Sequence, residues 1–532
     1  MTAVRPARAV AGRALADSRV RTGSFALLLA LIAYANAVGY RHSYPTLKGR
    51  LEFARSFGAN KTVQLFYGIP HDLLSVGGYT AWRLAGFGSL LAGAWGLLVA
   101  VRALRAEEDA GRQELVAAGS ISRCSAYVAV LAAIAADTAI LWLATFLGLL
   151  ATRLPAGGSA YLALATISPV PVFAGIGAVA SQVAPNRRLA VELATAALVL
   201  AFLVRVIADT SNGLGWLRWA TPLGWVEQLR AFAGPDPAVL ALFALAGTLL
   251  LAAAGAISVR RDVGSGLVRG RDSAPPRLRL LSSPTALALR GERGTLTGWL
   301  LGTGLFALII GVLSTSFTAA NIPADLRKQL HKLGGASITT PAGALGFYFL
   351  LFVLAISLFS CSQVSAARHE EAEQQLETLL ALPVSRLGWL GGRLLLSAAA
   401  AAAIALTAGA SAWAGAASQH AGVSFFRLLE AGANCLPVAL LFLAVGALAY
   451  ALVPRASAGI AYGLVSIAFV WQLLGALLGA PHWLLDLTPF QHVGFVPAQP
   501  FRTTAAVVML TLAVGAALAA LLAFKRRDLA AA

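Results

Sequence analysis

The chain has 532 residues, of which 58% are hydrophobic and 12% are charged, and its mean hydropathy is +0.75. Soluble globular proteins of this length do not carry so much apolar sequence, so that class is excluded. The formal net charge of +18 would suggest a nucleic-acid partner in a soluble protein, but here the arginines lie between apolar runs, where they indicate membrane topology and no nucleic acid.

Twelve apolar runs follow one another along the chain. Each is close to the roughly 20 residues that cross about 30 Å of hydrocarbon. Backbone groups in lipid must bond within their own segment, and the alternation typical of barrel strands is absent, so the runs are predicted to be helices. The predicted fold is an all-α polytopic membrane protein in a lipid bilayer. The runs are 24–41, 80–101, 125–152, 161–184, 189–208, 237–258, 297–318, 345–365, 390–416, 431–453, 456–479 and 504–524.

The distribution of positive charge predicts the orientation of these spans. With the N-terminus in the cytoplasm, the cytoplasmic segments hold 26 of the 41 Lys and Arg residues. Cytoplasmic loops are enriched in these residues, so both termini are predicted to be cytoplasmic. Only five of the 41 are lysines, and Ala and Gly are abundant, which is typical of a GC-rich bacterial source and hence of a bacterial plasma membrane.

Two predicted cytoplasmic segments repeat one charge pattern. RAEEDAGRQELVAAGSISR at 105–123 aligns without a gap on RHEEAEQQLETLLALPVSR at 368–386, and each follows the second span of its half. The identical pairs, at an offset of 263, are Arg105 and Arg368, Glu107 and Glu370, Glu108 and Glu371, Glu114 and Glu377, Ser122 and Ser385, and Arg123 and Arg386.

Two further pairs of segments repeat in the same order. GAVASQVAP at 177–185 resembles GALAYALVP at 446–454, and LRWATPLGW at 217–225 resembles LLDLTPFQH at 484–492. Offsets near half the chain length predict two six-span halves in the same orientation, related by a pseudo-twofold axis along the membrane normal. The predicted parts are a first half at 1–258, a cytoplasmic arginine-rich linker at 259–295 and a second half at 296–532.

Clustered glutamates are compatible with a metal site, acid–base chemistry, a solvated helix or a docking helix. Glu370, Glu373 and Glu377 share one helical face, which predicts an amphipathic helix at the inner membrane surface. No His or Cys matches in both copies, and the three cysteines lack disulfide or metal spacing, so neither a catalytic nor a metal site is predicted. A merely solvated loop has no need to repeat its charges, which favours docking of a cytosolic protein. The predicted contact residues are Glu107, Glu108, Glu114, Arg123, Glu370, Glu371, Glu377 and Arg386.

These segments resemble the cytoplasmic segment after the second span of type-2 ATP-binding-cassette (ABC) exporter permeases. The motifs are EE-x-x-GR-x-EL in 107–115 and E-x-LLALPVSR in 377–386. The doubled six-span layout, YGIPHDLLSVGGYTAW at 67–82 and TPLGWVEQLRAF at 221–232 are similar to the fused actinobacterial permeases called exporters of polyketide antibiotics, or tetronasin-type transporters. The resemblance covers nearly the whole chain.

The resemblance implies a type-2 (type V) exporter fold and the export of hydrophobic or amphipathic drugs or polyketide-like molecules. It also implies a separate nucleotide-binding subunit, and two docking helices suit two copies of it. The chain has no G-x-x-x-x-G-K-[ST] motif, so we expect no enzyme activity or cofactor of its own, with ATP and Mg²⁺ on the partner. Alternatives are a proton-driven twelve-span secondary transporter with Asp137 as a relay, and a membrane enzyme using His71 and Asp72.

Polar residues within spans are the remaining candidates. Asp137 lies in the third run, while Arg205 and Asp209 are i, i+4 neighbours at the outer end of the fifth. Gln472 takes the position of Arg205 in the second half. Charges in lipid cost several kcal/mol, so these side chains are predicted to face the helix bundle, either along a substrate pathway or gate or in an internal ion pair.

The TPLGW and TPFQH segments, with Pro222, Trp225 and Pro489, are compatible with an aromatic belt or with a re-entrant helix that covers the outer mouth of the pathway. In the external loops, YPTLKGRLEFARSFG at 44–58 predicts an amphipathic surface helix, and PADLRKQLHKLGG at 323–335 predicts its counterpart. These two helices would form an external lid or lie in solvated loops.

Overall fold

The computed structural model contains only helices as regular secondary structure in the part of the chain that it describes. Eleven of these helices are long and apolar enough to cross a membrane. The prediction of an all-α polytopic membrane protein is confirmed. The described residues are 4–58, 61–109, 111, 121–211, 213–261, 266–267, 281, 283–316, 340–474 and 481–528.

The chain divides into two compact units, Met1–Ala274 and Pro275–Ala532. The first unit holds six candidate spans (α1, α4, α5, α6, α7 and α9) and three shorter helices. Its helices are α1 Val4–Ser43, α2 Leu47–Phe57, α3 Lys61–Tyr67, α4 Val76–Asp109, α5 Arg123–Leu150, α6 Ala156–Val183, α7 Arg187–Thr210, α8 Pro222–Gln228 and α9 Leu240–Arg260.

The second unit holds five candidate spans and a shorter apolar helix, α15. The predicted run 456–479 corresponds to α15, and residues 475–480 lie outside the described part. For this reason the structure has eleven candidate spans where the sequence predicted twelve apolar runs. The helices are α10 Pro284–Leu313, α11 Pro341–Ala372, α12 Gln375–Leu380, α13 Arg386–Ser418, α14 Phe425–Leu452, α15 Ser457–Leu474, α16 His482–Leu485 and α17 Thr503–Arg526.

Several helix ends differ from the predicted ones. Helix α10 begins inside the predicted linker because the Ser283 side chain caps it and Pro284 fits its first position. The predicted glutamate face is interrupted, because Gln374 adopts a left-handed conformation (φ 60°) between α11 and α12. The predicted surface helix in 44–58 is present as α2, whereas its counterpart at 323–335 lies outside the described residues.

The six-helix packing scheme is the same within each unit. The first span packs on the third, as α1 on α5 and α10 on α13. The second and fourth spans pack on each other, and the fifth and sixth both contact the fourth. In both units the fourth helix is broken near its middle, before a proline at the second position of its next segment (Pro171 and Pro437).

Matching side-chain contacts also recur. The Ser122 and Ser385 hydroxyls cap the third spans by accepting from main-chain N–H groups three residues ahead. The Thr221 hydroxyl donates to the carbonyl of Ala201 at 2.8 Å, and that of Thr488 donates to the carbonyl of Ala468 at 3.1 Å. Each threonine thereby ties the segment after the fifth span back to that span.

Close contact between the first and third spans depends on glycine in both units, at Gly148 in the first and at Gly311 and Gly415 in the second. A Cβ at Gly148 would lie 2.6 Å from the carbonyl oxygen of Ala30, and one at Gly415 would lie 2.1 Å from that of Leu308. Small residues let helix backbones approach closely in membranes, where the hydrophobic effect between helices is absent.

We predict that Gly415→Ala lowers the thermal unfolding midpoint in detergent, because the added methyl group would cost about 1–3 kcal/mol by overpacking. Gly302→Ala on α10 is the matched control, since a Cβ there has open space and alanine favours helix by about 1 kcal/mol. Equal effects of the two substitutions would contradict the close contact.

Candidate functional site

The first glutamate segment directs one carboxylate into the protein. Glu108, at the end of α4, accepts from Arg105 Nη1 at 3.1 Å and from Arg261 Nη2 at 2.5 Å, and its side chain is 2% exposed. Arg261 directly follows α9, and its carbonyl oxygen accepts from Arg123 Nη1 at 2.8 Å. These four residues form the first arginine–glutamate cluster, which joins the ends of the second, third and sixth spans.

The second glutamate segment builds the same arrangement. Glu371 accepts from Arg527 Nη2 at 2.6 Å and lies 3.9 Å from Arg368 Nη1. Arg527 directly follows α17, and its carbonyl oxygen accepts from Arg386 Nη1 at 2.5 Å. These four residues form the second arginine–glutamate cluster. Its Glu371 side chain is 1% exposed.

Sequence reasoning did not identify Arg261 and Arg527 as members of these clusters. A signal was present, because each arginine comes three residues after the last apolar run of its half and the two are 266 positions apart. That offset agrees with the offsets of the other repeated segments.

The other predicted contact residues have different surroundings. Glu107 is half-buried, and Glu370 forms an ion pair with Arg393 at 2.5 Å. Glu377 is exposed on α12. Glu114 lies outside the described residues. A docking role for these side chains stays a prediction.

We predict that Arg527→Ala destabilises the protein by about 3–5 kcal/mol, because it leaves the buried Glu371 carboxylate without its principal counter-ion. Arg427→Ala is the control, since Arg427 forms an exposed ion pair with Glu430 in the same unit and should cost about 1 kcal/mol or less. Unfolding midpoints in detergent test the difference, and similar losses for both variants would refute the structural importance of Arg527.

A second group of charges lies at the opposite end of the first unit. Arg205 on α7 is completely buried and lies 3.7 Å from Asp209 and 4.0 Å from Glu227. Arg218 lies 2.8 Å from Asp209 and 3.5 Å from Glu227. These residues form the four-charge cluster, and the ion pair predicted from the Arg205–Asp209 spacing is present. A gating role for it stays a prediction.

Main-chain groups of α3 and α4 complete the environment of Arg205. Its guanidinium donates to the carbonyl oxygens of Leu65 at 2.8 Å and Gly86 at 3.3 Å. Gly68 (φ 77°) makes room for the cluster, because a Cβ there would lie 2.0 Å from Glu227 Oε1. The segment before α4 is therefore held against α7 and α8 by buried charge.

The second unit has no such charges at the equivalent positions that the structure describes. Gln472, equivalent to Arg205, donates to the side-chain oxygen of Gln491 at 2.9 Å. Leu485 and Gly494 take the positions of Arg218 and Glu227 at an offset of 267. The sequence analysis missed Arg218 and Glu227, which lie on the segment interpreted through its proline and tryptophans.

The predicted aromatic and proline residues have structural contacts. Pro222 begins α8 and Pro489 begins a 3₁₀ turn, positions where the missing N–H is tolerated. The Trp225 indole donates to the carbonyl oxygen of Trp219 at 2.7 Å, and its ring meets the edge of Phe243 on α9. The re-entrant and aromatic-belt interpretations both stay predictions.

Burial, and secondly the Asp209 carboxylate, raise the pKa of Glu227 well above the usual range of a glutamate. Glu227 lies on α8, outside the candidate spans. The folded protein thus holds this proton more tightly than the unfolded chain does. Its contribution to stability is fully present below the ordinary glutamate pKa of about 4.3 and is lost as the pH rises towards the folded-state pKa.

We predict that Glu227→Gln weakens the pH dependence of the unfolding midpoint above about pH 4.3, the ordinary glutamate pKa, because from there upward the unfolded chain releases this proton before the folded protein does. Glu192→Gln is the control, because Glu192 lies in an exposed ion pair with Arg188. Parallel midpoint curves for the wild type and Glu227→Gln would contradict the raised pKa.

A cavity of about 180 Å³ lies between α1, α4 and α5 of the first unit. Asp137 lines it and is 2% exposed, and the hydroxyls of Ser18 and Thr22 face its carboxylate. Toward the start of α5 the lining reaches Glu108 and Arg261 of the first arginine–glutamate cluster. Among the residues the structure describes, no three His, Cys, Asp or Glu side chains are grouped as metal ligands would be.

Comparison with known proteins matches both units. The family described as "Multidrug efflux system permease Rv1217c, C-terminal domain" matches residues 57–260 and 281–525. The multidrug efflux system permease protein Rv1217c of Mycobacterium tuberculosis (strain ATCC 25618 / H37Rv) is 32% identical over 521 residues, which cover 97% of this chain and 93% of that protein. The matched ranges contain Glu108, Glu371, Asp137 and the four-charge cluster, whereas Arg261 and Arg527 lie just beyond the ends of the two ranges. The chain therefore belongs to the Rv1217c family of multidrug efflux permeases.

Proposed function

We propose that this chain is the membrane subunit of an ATP-driven ABC exporter in the bacterial plasma membrane, with both termini in the cytoplasm. It exports hydrophobic or amphipathic drugs or polyketide-like molecules. Two copies of a nucleotide-binding subunit, which carry ATP and Mg²⁺, dock on the two glutamate segments. Membership of a multidrug efflux permease family supports export, and the geometry of α12 supports the docking step.

The observation that carries the docking step is the two-sided character of α12. Glu377 is exposed, whereas its neighbour Leu376 is fully buried in a core that includes Trp389 of α13, Tyr450 of α14 and Phe524 of α17. A protein that binds Glu377 on the exposed face of α12 would therefore push on a helix whose other face is packed against three spans of the second unit.

The second arginine–glutamate cluster supplies a route for this movement. Glu371 lies four residues before α12 and binds the side chain of Arg527, which directly follows α17. The carbonyl oxygen of Arg527 in turn accepts a hydrogen bond from Arg386 at the start of α13. Because breaking a buried ion pair is costly, the ends of these helices are expected to move together. Closure of the nucleotide-binding subunits would in this way alternate access to the transport pathway.

We predict that Glu377→Lys reduces co-purification with the proposed nucleotide-binding subunit, and ATP-dependent efflux, by about tenfold or more, because a like-charge contact at a docking surface costs several kcal/mol. Glu430→Lys is the control, since Glu430 is partly exposed and lies near the start of α14, outside the glutamate segments. Unchanged co-purification and efflux in a normally inserted Glu377→Lys variant would refute the docking step.

A proton-driven transporter is the second candidate, and the buried Asp137 in its cavity is the observation that favours it. Efflux from vesicles whose proton gradient has been collapsed separates the two, because only ATP-driven export persists. The membrane-enzyme alternative is weaker. The Asp72 carboxylate accepts from the main-chain N–H groups of Leu74 and Ser75 in a local turn, and His71 contacts the Glu227 carbonyl oxygen.

A further inference from the structure

The cavity of the first unit combines an apolar wall with one buried carboxylate. Its apolar wall is formed by Val99, Val130, Ala133 and Ile134. Asp137 projects from the middle of α5, which begins at Arg123. A helix rises about 1.5 Å per residue, so Asp137 lies about 20 Å along α5 from Arg123. The carboxylate is therefore deep within the candidate span.

No cation neutralises Asp137 within 4.0 Å among the residues that the structure describes. Arg21 is the cation whose charge acts on it, but the Arg21 guanidinium donates to the main-chain carbonyl oxygen of Asp17 on its own helix. Hydroxyl groups of Ser18 and Thr22 are the neighbours of the carboxylate. A charge at this depth is costly unless it is paired, so the site favours a cationic ligand.

The second unit provides an internal comparison at the same place in the fold. Arg393 takes the position of Val130 at an offset of 263, and it binds Glu370 at 2.5 Å and Glu292 at 3.3 Å. Ala400 takes the position of Asp137. A smaller cavity of about 10 Å³ borders Arg393 between α11, α13 and α14. The buried acid at this position of the third span is thus specific to the first unit and is not a consequence of the shared helix packing.

The arginines that line the cavity do not make it a site for anions. Arg261 is bound to Glu108, Arg123 to the Arg261 carbonyl oxygen, and Arg13 lies 3.9 Å from Asp17. Arg102 is exposed on α4. These cations are either engaged or lie at the solvent-exposed part of the lining, whereas the deepest charge is negative.

We infer that this cavity binds lipophilic cations, with Asp137 as the counter-ion for the positive centre and the apolar wall for the rest of the ligand. The inference rests on the proposed function as an exporter and assigns it a substrate class. It also assigns binding to the first unit, because the second unit has Ala400 at the position of Asp137 and Arg393 at the position of Val130.

Equilibrium dialysis of the purified full chain in lipid nanodiscs tests this inference, with empty nanodiscs as the blank. Tetraphenylphosphonium is the cationic probe, and tetraphenylborate is the anionic probe of similar size and shape. The wild type is expected to bind the cation more tightly. Asp137→Asn should weaken cation binding by about 30-fold or more, the effect expected when one partner of a buried charge pair is removed.

Asp17→Asn is the matched control, because Asp17 lines the same cavity but is largely exposed, and it should change cation binding less than about threefold. Asp137→Glu should retain the preference for the cation. Where Asp137→Asn fails to fold, Val130→Arg replaces it, because it introduces the arginine of the second unit and should abolish binding. Tighter binding of tetraphenylborate by the wild type, or unchanged cation binding in Asp137→Asn and Val130→Arg, would overturn the inference.

The assay uses neither nucleotide nor an ATPase subunit, so it separates the two proposals. Cation binding that depends on Asp137, without ATP-driven export, would overturn the proposed function alone. ATP-driven export of neutral compounds, without cation binding, would overturn the assigned substrate class alone.

Discussion

Each unit depends on one buried ion pair between the end of its sixth span and the end of its second. Arg261 binds Glu108 in the first unit, and Arg527 binds Glu371 in the second. The same arginines reach the fourth spans, because Arg261 Nε donates to the Gln182 side chain and Arg527 Nη1 to the Tyr450 carbonyl oxygen. Removing ions from water is costly, and an unpaired ion here would be costlier still, so the pairing fixes where four helix ends meet.

The helix ends that these ion pairs join position two features to which we assign a function, the docking helix α12 and the cavity that contains Asp137. In the second unit the ion pair holds the end of α11 directly before α12, so that Leu376 is buried while Glu377 faces outward. In the first unit Glu108 and Arg261 also belong to the lining of the cavity that contains Asp137. One set of charges therefore borders both a candidate docking segment and a candidate ligand site, which gives coupling between them a short physical route within that unit.

The sequence predicted the membrane helices and the two halves because both leave long signals. A span needs about 20 apolar residues, and a duplicated frame leaves offsets such as the one that relates Thr221 to Thr488. Side-chain direction leaves no such signal. Glu107 and Glu108 are adjacent letters but point about 100° apart on a helix, so a charge pattern alone did not show that Glu108 faces inward to Arg261. Arg218 and Glu227 were missed because their partners lie nine or more residues away, beyond the end of their own helix, so no helical spacing relates them.

Differences between the units are concentrated in the first one. Its cavity holds Asp137 where the second unit has Ala400, and its four-charge cluster lies where the second unit has the neutral Gln472–Gln491 contact. In the second unit, Arg393 instead occupies the interior and is bound to two glutamates. Because buried charge is costly in lipid, a shared frame does not require either feature of the first unit. The restriction of Asp137 to that unit agrees with our inference that the first unit binds a ligand that the second does not, while the four-charge cluster serves to hold the segment before α4 against α7 and α8.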